Sequence, residues 1–195
     1  MTHLSTARFW LPPRPHWPRK RDQQRRRQIV DKLVVLANVS YEHASELVDG
    51  CTYIIGGTGR VKNVIDKSGN HLFSPRLKDG GLSVTDLGSK AIYERRSDSI
   101  SDAGGYHPYS GAGKGPAVLK VKQDAVEFVL RGRNVFHGFI LSCDAWLKAG
   151  QTCFIVDEEG TLIGHGLSQC DADEALRLTK GIAVRTRSDF SKTFD

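Results

Sequence analysis

No run of apolar residues in this 195-residue chain approaches the ~20 that a helix needs to cross a bilayer. The N-terminal segment sets Arg8, Pro12, Pro13, Arg14 and Pro15 where a secretory signal keeps a continuous apolar stretch. Both absences lead to the expectation of a cytoplasmic protein with no membrane partner. Cysteine is scarce: Cys51, Cys143, Cys153 and Cys170 contain no C-x-x-C pair, so neither a zinc site nor a disulfide framework is expected, and they read as free thiols. Histidines are scattered, with no H-x-x-x-H beside a carboxylate, and no serine sits in a G-x-S-x-G pattern. The run Gly111 to Gly115 invites a phosphate-loop reading but fails it, with Pro108 where the first glycine of the pattern belongs and Gly115 where Ser or Thr is required. No cofactor, metal or catalytic centre is expected.

What the chain does have is an uneven charge. The net charge is +6, yet residues 1–28 hold eight Arg/Lys against one acid, residues 29–111 nine against ten, and residues 112–195 eleven against eleven. The excess therefore sits in the N-terminal arm, which suits a polyanion whose phosphates would order it; a plain solvated tail stands as the other reading. Prolines beside Phe9, Trp10 and Trp17 argue against a packed unit in residues 1–20.

From Asp22 the pattern is helical, with Ile29, Val30, Leu33, Val34 and Leu36 on a wide apolar face. Ser40 is a candidate cap for a second, shorter helix. Short β-like runs follow at Thr52–Ile55, Val61–Ile65, His71–Phe73 and Leu82–Thr85, separated by turn compositions, and Asp86–Tyr93 reads as a closing helix. Residues 97–115, rich in Ser and Gly, read as a linker. Beyond it, Val126, Val129 and Leu130 mark a helix over Asp124–Arg131 that Gly132 ends. Cys153–Val156 and Leu162–Gly166 flank the acidic hairpin turn Asp157-Glu158-Glu159-Gly160, whose carboxylates we assign to solvent.

The order "VKQDAVEFVLRGRNVFHGFI", a spacer, "GQTCFIVDEEGTLIGHGLS", the helical "DADEALRLTKG" and a last strand "GIAVRTR" resembles a PUA domain, the small RNA-binding pseudo-barrel of tRNA- and rRNA-modifying proteins. The segment "GRVKNVIDKSGNHLFSPRLKDGGLSVTDLGSKAI" more loosely resembles the domain that precedes the PUA in archaeosine tRNA-guanine transglycosylase, with Gly88-Ser89 standing at its Thr-x-x-Gly-Ala-like turn. Together these imply an α+β protein: a basic arm (1–20), a small α/β pre-PUA domain (21–96), the linker (97–115) and a mixed-β PUA pseudo-barrel (116–190). The transglycosylase's base exchange belongs to a TIM-type barrel of roughly 200 residues or more, for which this chain has no room. The resemblance therefore implies a non-catalytic, archaeal tRNA-binding chain, an accessory to a separate transglycosylase subunit; a stand-alone RNA-binding factor of ribosome assembly or translation is the alternative.

Structured RNA is gripped through phosphates and 2′-hydroxyls. Arg131 and Arg133 suit phosphates, Asn134 a 2′-hydroxyl, and Gly132 and Gly138 allow close backbone approach, with Val135 and Phe136 completing the edge. Phe136 is read either as a core plug or as a surface ring under a terminal base. Arg185 and Arg187 alternate on the last strand and so share a face, as phosphate contacts or as an ordinary solvated face; Arg76 and Lys78 rank behind them. Deleting residues 1–20 is expected to leave the melting temperature unchanged and to flatten the salt dependence of RNA binding, because no apolar periodicity there feeds a core while Arg8, Arg14, Arg19 and Lys20 are lost. A large fall in melting temperature counts against this.

Overall fold

Apolar periodicity in this chain builds two sheets, and one helix serves both. The computed structural model describes residues 20–96 and 115–193; the arm up to residue 19 and almost all of the expected linker lie outside the described residues, and Lys20, expected in the arm, begins the first helix. The first unit starts with α1 (Lys20–Ala37) and α2 (Tyr41–Leu47). Ile29, Val30, Leu33 and Ala37 are the buried positions of α1, a spacing that fits one helical face. Asn38 (φ 55°) breaks that helix, and the Ser40 hydroxyl accepts the His43 N–H at 3.1 Å to cap the next.

An antiparallel meander follows, β1 (Thr52–Ile55), β2 (Val61–Ile65), β3 (His71–Pro75) and β4 (Leu82–Val84), paired in that order. Cross-strand partners Tyr53, Val64, Phe73 and Val84 form one row through the sheet, and Val64 and Phe73 are fully buried at its centre. The closing helix α3 (Asp86–Tyr93) is capped by Thr85, whose hydroxyl accepts the Gly88 N–H at 3.2 Å and donates to His71 O at 2.7 Å. A Cβ on Gly88 would stand 2.1 Å from Leu72 O. The Thr-x-x-Gly pattern thus has a mechanical reading: threonine starts the helix and glycine lets it press on β3. Ser89, where the resembling domain has an alanine-like residue, is fully buried but satisfied, donating to Asp86 O at 2.8 Å.

The second unit comprises β5 (Ala117–Val121), α4 (Gln123–Leu130), β6 (Val135–Phe136), a 3₁₀ turn (His137–Phe139), β7 (Ile140–Cys143), β8 (Thr152–Val156), β9 (Leu162–Ser168), α5 (Ala172–Arg177), β10 (Ile182–Thr186) and α6 (Phe190–Thr193). Its six-stranded sheet runs β6-β10-β9-β8-β5-β7, parallel only between β5 and β8. The α+β class and the mixed-β pseudo-barrel are as expected. Two expectations change. On α4 the buried positions are Ala125 and Val129, while Val126 and Leu130 are only half-buried, because the helix meets the sheet along a narrow stripe. The acidic hairpin tip is exposed but engaged, with the Glu158 carboxylate accepting the Gln123 N–H at the start of α4 (3.0 Å) and Asp157 accepting Thr161 N–H (2.7 Å).

The two units share α3. Asp86 and Tyr93, two turns apart on one face of it, meet Phe154 and His165, which are cross-strand partners on β8 and β9. Phe154 is fully buried within the first unit's core, and Tyr93 stands edge-on to it at 5.6 Å while donating its hydroxyl to Gly160 O at 2.8 Å. His165 Nδ1 lies 3.4 Å from Asp86 Oδ1. Burial pulls this imidazole below its usual value of 6.5, the Asp86 carboxylate opposing and Arg187 reinforcing the drop.

Phe154→Ala is expected to cost roughly 3–5 kcal/mol and to lower the melting of both units together; two separated transitions in calorimetry would show that they do not share a core. Leu130→Ala should cost less than the roughly 2–5 kcal/mol of a fully buried leucine, read by chemical denaturation. Because the folded state holds His165 more weakly protonated than the unfolded chain does, its contribution is whole above about pH 6.5 and is lost as pH falls below that value until His165 protonates in the fold as well. The drop in melting temperature between pH 7.5 and 5.5 should therefore shrink in His165→Gln.

Candidate nucleic-acid interface

Gly132 (φ 75°) turns the chain out of α4, and a Cβ there would come within 2.8 Å of Ser188 O, so a positive φ and a close approach both call for glycine. Its N–H bonds Val129 O at 2.9 Å and the Arg133 N–H bonds Phe128 O at 2.9 Å, closing the helix in a double-bonded turn. The chain then lies along β10. Thr186 bonds it twice, donating its hydroxyl to Arg133 O (2.9 Å) and its N–H to Asn134 Oδ1 (3.2 Å). Val135 and Phe136 pair with Val184 and Ile182. Arg185 and Arg187, exposed on either side of Thr186, therefore stand beside the Arg131–Gly138 segment, although more than forty residues separate the two stretches in sequence.

The residues of this edge differ in what they can offer. The exposed Arg133 guanidinium has no hydrogen-bond or ion-pair partner among the described residues, whereas one nitrogen of the Arg131 guanidinium is engaged by Glu127 in an i, i+4 pair. Asn134 accepts the Thr186 N–H on its carbonyl oxygen, which fixes the side chain and leaves its NH₂ and the second lone pair of that oxygen for a ligand. Val135 is 1% exposed within the second core, so its side chain anchors the edge and cannot be a contact. Phe136 is 46% exposed, which decides for the surface ring. The apolar Phe128 and Ile182 are exposed as well, and neither stood among the sequence candidates: a phenylalanine on a helix reads as core. Lys122, also unselected, donates to Gly138 O at 2.7 Å.

Arg76 and Lys78 lie apart, at the β3–β4 turn of the other sheet. Arg76 is spent on that turn, Nε to Asp79 Oδ1 at 3.1 Å, leaving Lys78 as its exposed cation.

Among the described residues, the polar groups around His71 and in the cleft beside α1 are already engaged with one another. His71 Nε2 lies 3.1 Å from Phe73 O and 2.8 Å from Ser74 Oγ. A carbonyl only accepts, so Nε2 carries the proton, and the Ser74 hydroxyl donates to Asn63 Oδ1 at 3.2 Å. This histidine cannot take a proton from the serine. A cleft of about 600 Å³ lies on the first unit between the start of α1 and residues 48–53; its Asp22 and Asp49 are paired with Arg25 and Lys67, and burial pushes the Tyr53 phenol up to about 12, away from the range of a general acid or base at neutral pH. The Cys153 thiol, fully buried, is likewise pushed up to about 12. Among the described residues no group of three or more His, Cys, Asp or Glu could hold a metal ion.

Comparison with known proteins accords with this architecture. The family model described as PUA domain matches residues 117–190. The tRNA-guanine(15) transglycosylase of Methanocaldococcus jannaschii is 28% identical over 130 residues, 67% of this chain and 17% of the relative; that of Methanobrevibacter smithii is 33% identical over 135 residues, 69% of this chain and 18% of the relative. The chain thus spans about a sixth of the length of these relatives, which fits the C-terminal, PUA-containing part of them. Among solved structures, a hypothetical protein of Pyrococcus horikoshii OT3 shares the fold at a TM-score of 0.54 and 15% identity, covering 85% of this chain and 90% of that one. A PUA domain structure from Aeropyrum pernix K1 does so at 0.50 and 14%, covering 90% and 85%. Residues 117–190 therefore form a PUA domain.

Proposed function

We propose that this chain binds tRNA through the β6–β10 edge of its PUA domain and has no catalytic site of its own, serving as the RNA-gripping accessory subunit of a split tRNA-guanine transglycosylase in archaeosine modification. The observation that carries the reading is the Arg133 guanidinium, exposed and uncommitted on a rigid turn, with Arg185 and Arg187 alongside and the Phe136 ring at the end of the same edge. Cations on a fixed backbone suit phosphates, and an exposed ring suits an unpaired base. The likeness to transglycosylases supports the choice of tRNA and of a catalytic partner chain, and the described residues form sheets of four and six strands, unlike a barrel of eight parallel strands with its surrounding helices.

Sequencing of RNA crosslinked to the protein in its native cell tests the reading: reads from tRNA acceptor and D arms support it, and reads from ribosomal RNA favour the stand-alone factor. A pull-down that recovers RNA but never a transglycosylase-like chain removes the split-enzyme part. Arg133→Ala is expected to weaken tRNA binding by about 1–3 kcal/mol in filter binding with little change in melting temperature. Gly132→Val should impair folding and binding together, since its side chain meets Ser188 O from a left-handed backbone.

A further inference from the structure

Residues 186–189 are gripped at both ends. At one end Thr186 makes its two bonds to Arg133 and Asn134, and Ser188 O stands against the backbone of Gly132. At the other end the Asp189 N–H donates to Asp86 Oδ2 at 3.1 Å, a carboxylate that belongs to α3 of the first unit. Between the ends, the strap lies on His165. The Ser188 hydroxyl accepts the His165 N–H at 3.0 Å and donates to His165 O at 3.3 Å, and the Arg187 N–H bonds the same carbonyl at 2.9 Å. The His165 ring faces Asp86 Oδ1 in turn. One aspartate from outside the PUA domain therefore touches both the strap and the residue the strap is laid upon.

We infer that Asp86 is a positioning residue for RNA binding: its carboxylate fixes the Thr186–Asp189 strap, and the strap sets the register in which Arg133 and Asn134 are presented. The inference rests on the RNA-binding reading of that edge. It assigns the first unit a task in recognition that requires no contact with RNA. The mechanism is geometric. A cation on a turn contributes to phosphate binding only if it is held where the phosphate arrives, and the turn Gly132–Asn134 has β10 and the strap as its only bonded support on the side away from α4 among the described residues. Removing the carboxylate takes away one of the strap's holds and the group that faces the His165 ring, leaving the bonds of Ser188 and Arg187 to His165 to carry the strap, so that the two Thr186 bonds are held less firmly.

The test uses the full chain, an unmodified tRNA transcript as probe, filter binding at fixed salt, and amide hydrogen exchange at Thr186, whose N–H bonds Asn134. Asp86→Ala is expected to raise Kd roughly tenfold, the scale of one lost charge-assisted hydrogen bond, and to speed exchange at Thr186 while the core amide of Ile155 stays protected. Asp86→Asn retains an oxygen for Asp189 N–H and should bind within about twofold of wild type. In a double-mutant cycle, Asp86→Ala added to Arg133→Ala should cost little more than Arg133→Ala alone, because what it displaces is already gone. Should Asp86→Ala not fold, Asp86→Ser takes its place with the same expectations, since its hydroxyl suits a helix start but falls short of Asp189. Wild-type binding and Thr186 exchange in the Asp86 variant overturn the inference, and so do losses that multiply in the double variant. If Arg133→Ala binds as wild type, the edge is not the RNA surface and the function reading falls with the inference; if only the Asp86 arms fail, that reading stands.

Discussion

The whole arrangement depends on α3 being pressed from both sides. On one side Gly88 admits the backbone of β3 to a distance that no side chain would allow. On the other, Asp86 and Tyr93 meet the cross-strand pair His165 and Phe154. An eight-residue helix is too short to be stable alone, so its place is set by what it contacts, and it contacts both sheets. The first unit's core would lack a side wall without Phe154, and the second would expose a large aromatic ring without α3. Two small units, each marginal by size, gain a common interior in this way.

Much of this was legible along the chain because it is local. Ile29, Val30 and Leu33 announce a helix by spacing, Ser40 sits where a cap belongs, and Gly132 stands where a helix must turn; Thr85, read as the end of a strand, is instead the cap of α3. The strands of the meander are separated by turn residues whose side chains close the turns, as Asp66 does by accepting the Ser68 and Asn70 N–H groups at 2.8 Å each. The joint between the units was not legible. Phe154 lies in a run of buried strand residues, and nothing local distinguishes the ring that faces a foreign core from the neighbours that face their own. Asp86 reads as an acid in the first turn of a helix, a role it would fill equally well in the absence of His165.

The candidate interface divides along the same line. The exposure of Arg133 and Gly138 is as their residue types suggest, a cation and a small residue beside a strand. Val135 was misplaced because a two-residue strand has no period from which to tell inside from outside. The partner of Asn134, Thr186, lies across the sheet and leaves no trace near it in the sequence. Phe136 could not be decided without knowing that its strand is the sheet's edge, where a ring has no neighbour to cover it.

The hairpin tip Asp157–Gly160 has a practical consequence. An exposed turn between two strands is ordinarily where a chain accepts foreign sequence, such as an affinity tag or a reporter domain. Here the tip is a junction: Glu158 holds the start of α4, its carbonyl receives Lys120, and Gly160 receives the Tyr93 hydroxyl. Extra residues there would pry three elements apart at once. The turn between β1 and β2, where Gly57 and Gly59 have open space around them, is the sounder port for a graft, and it sits on the sheet that does not carry the β6–β10 edge.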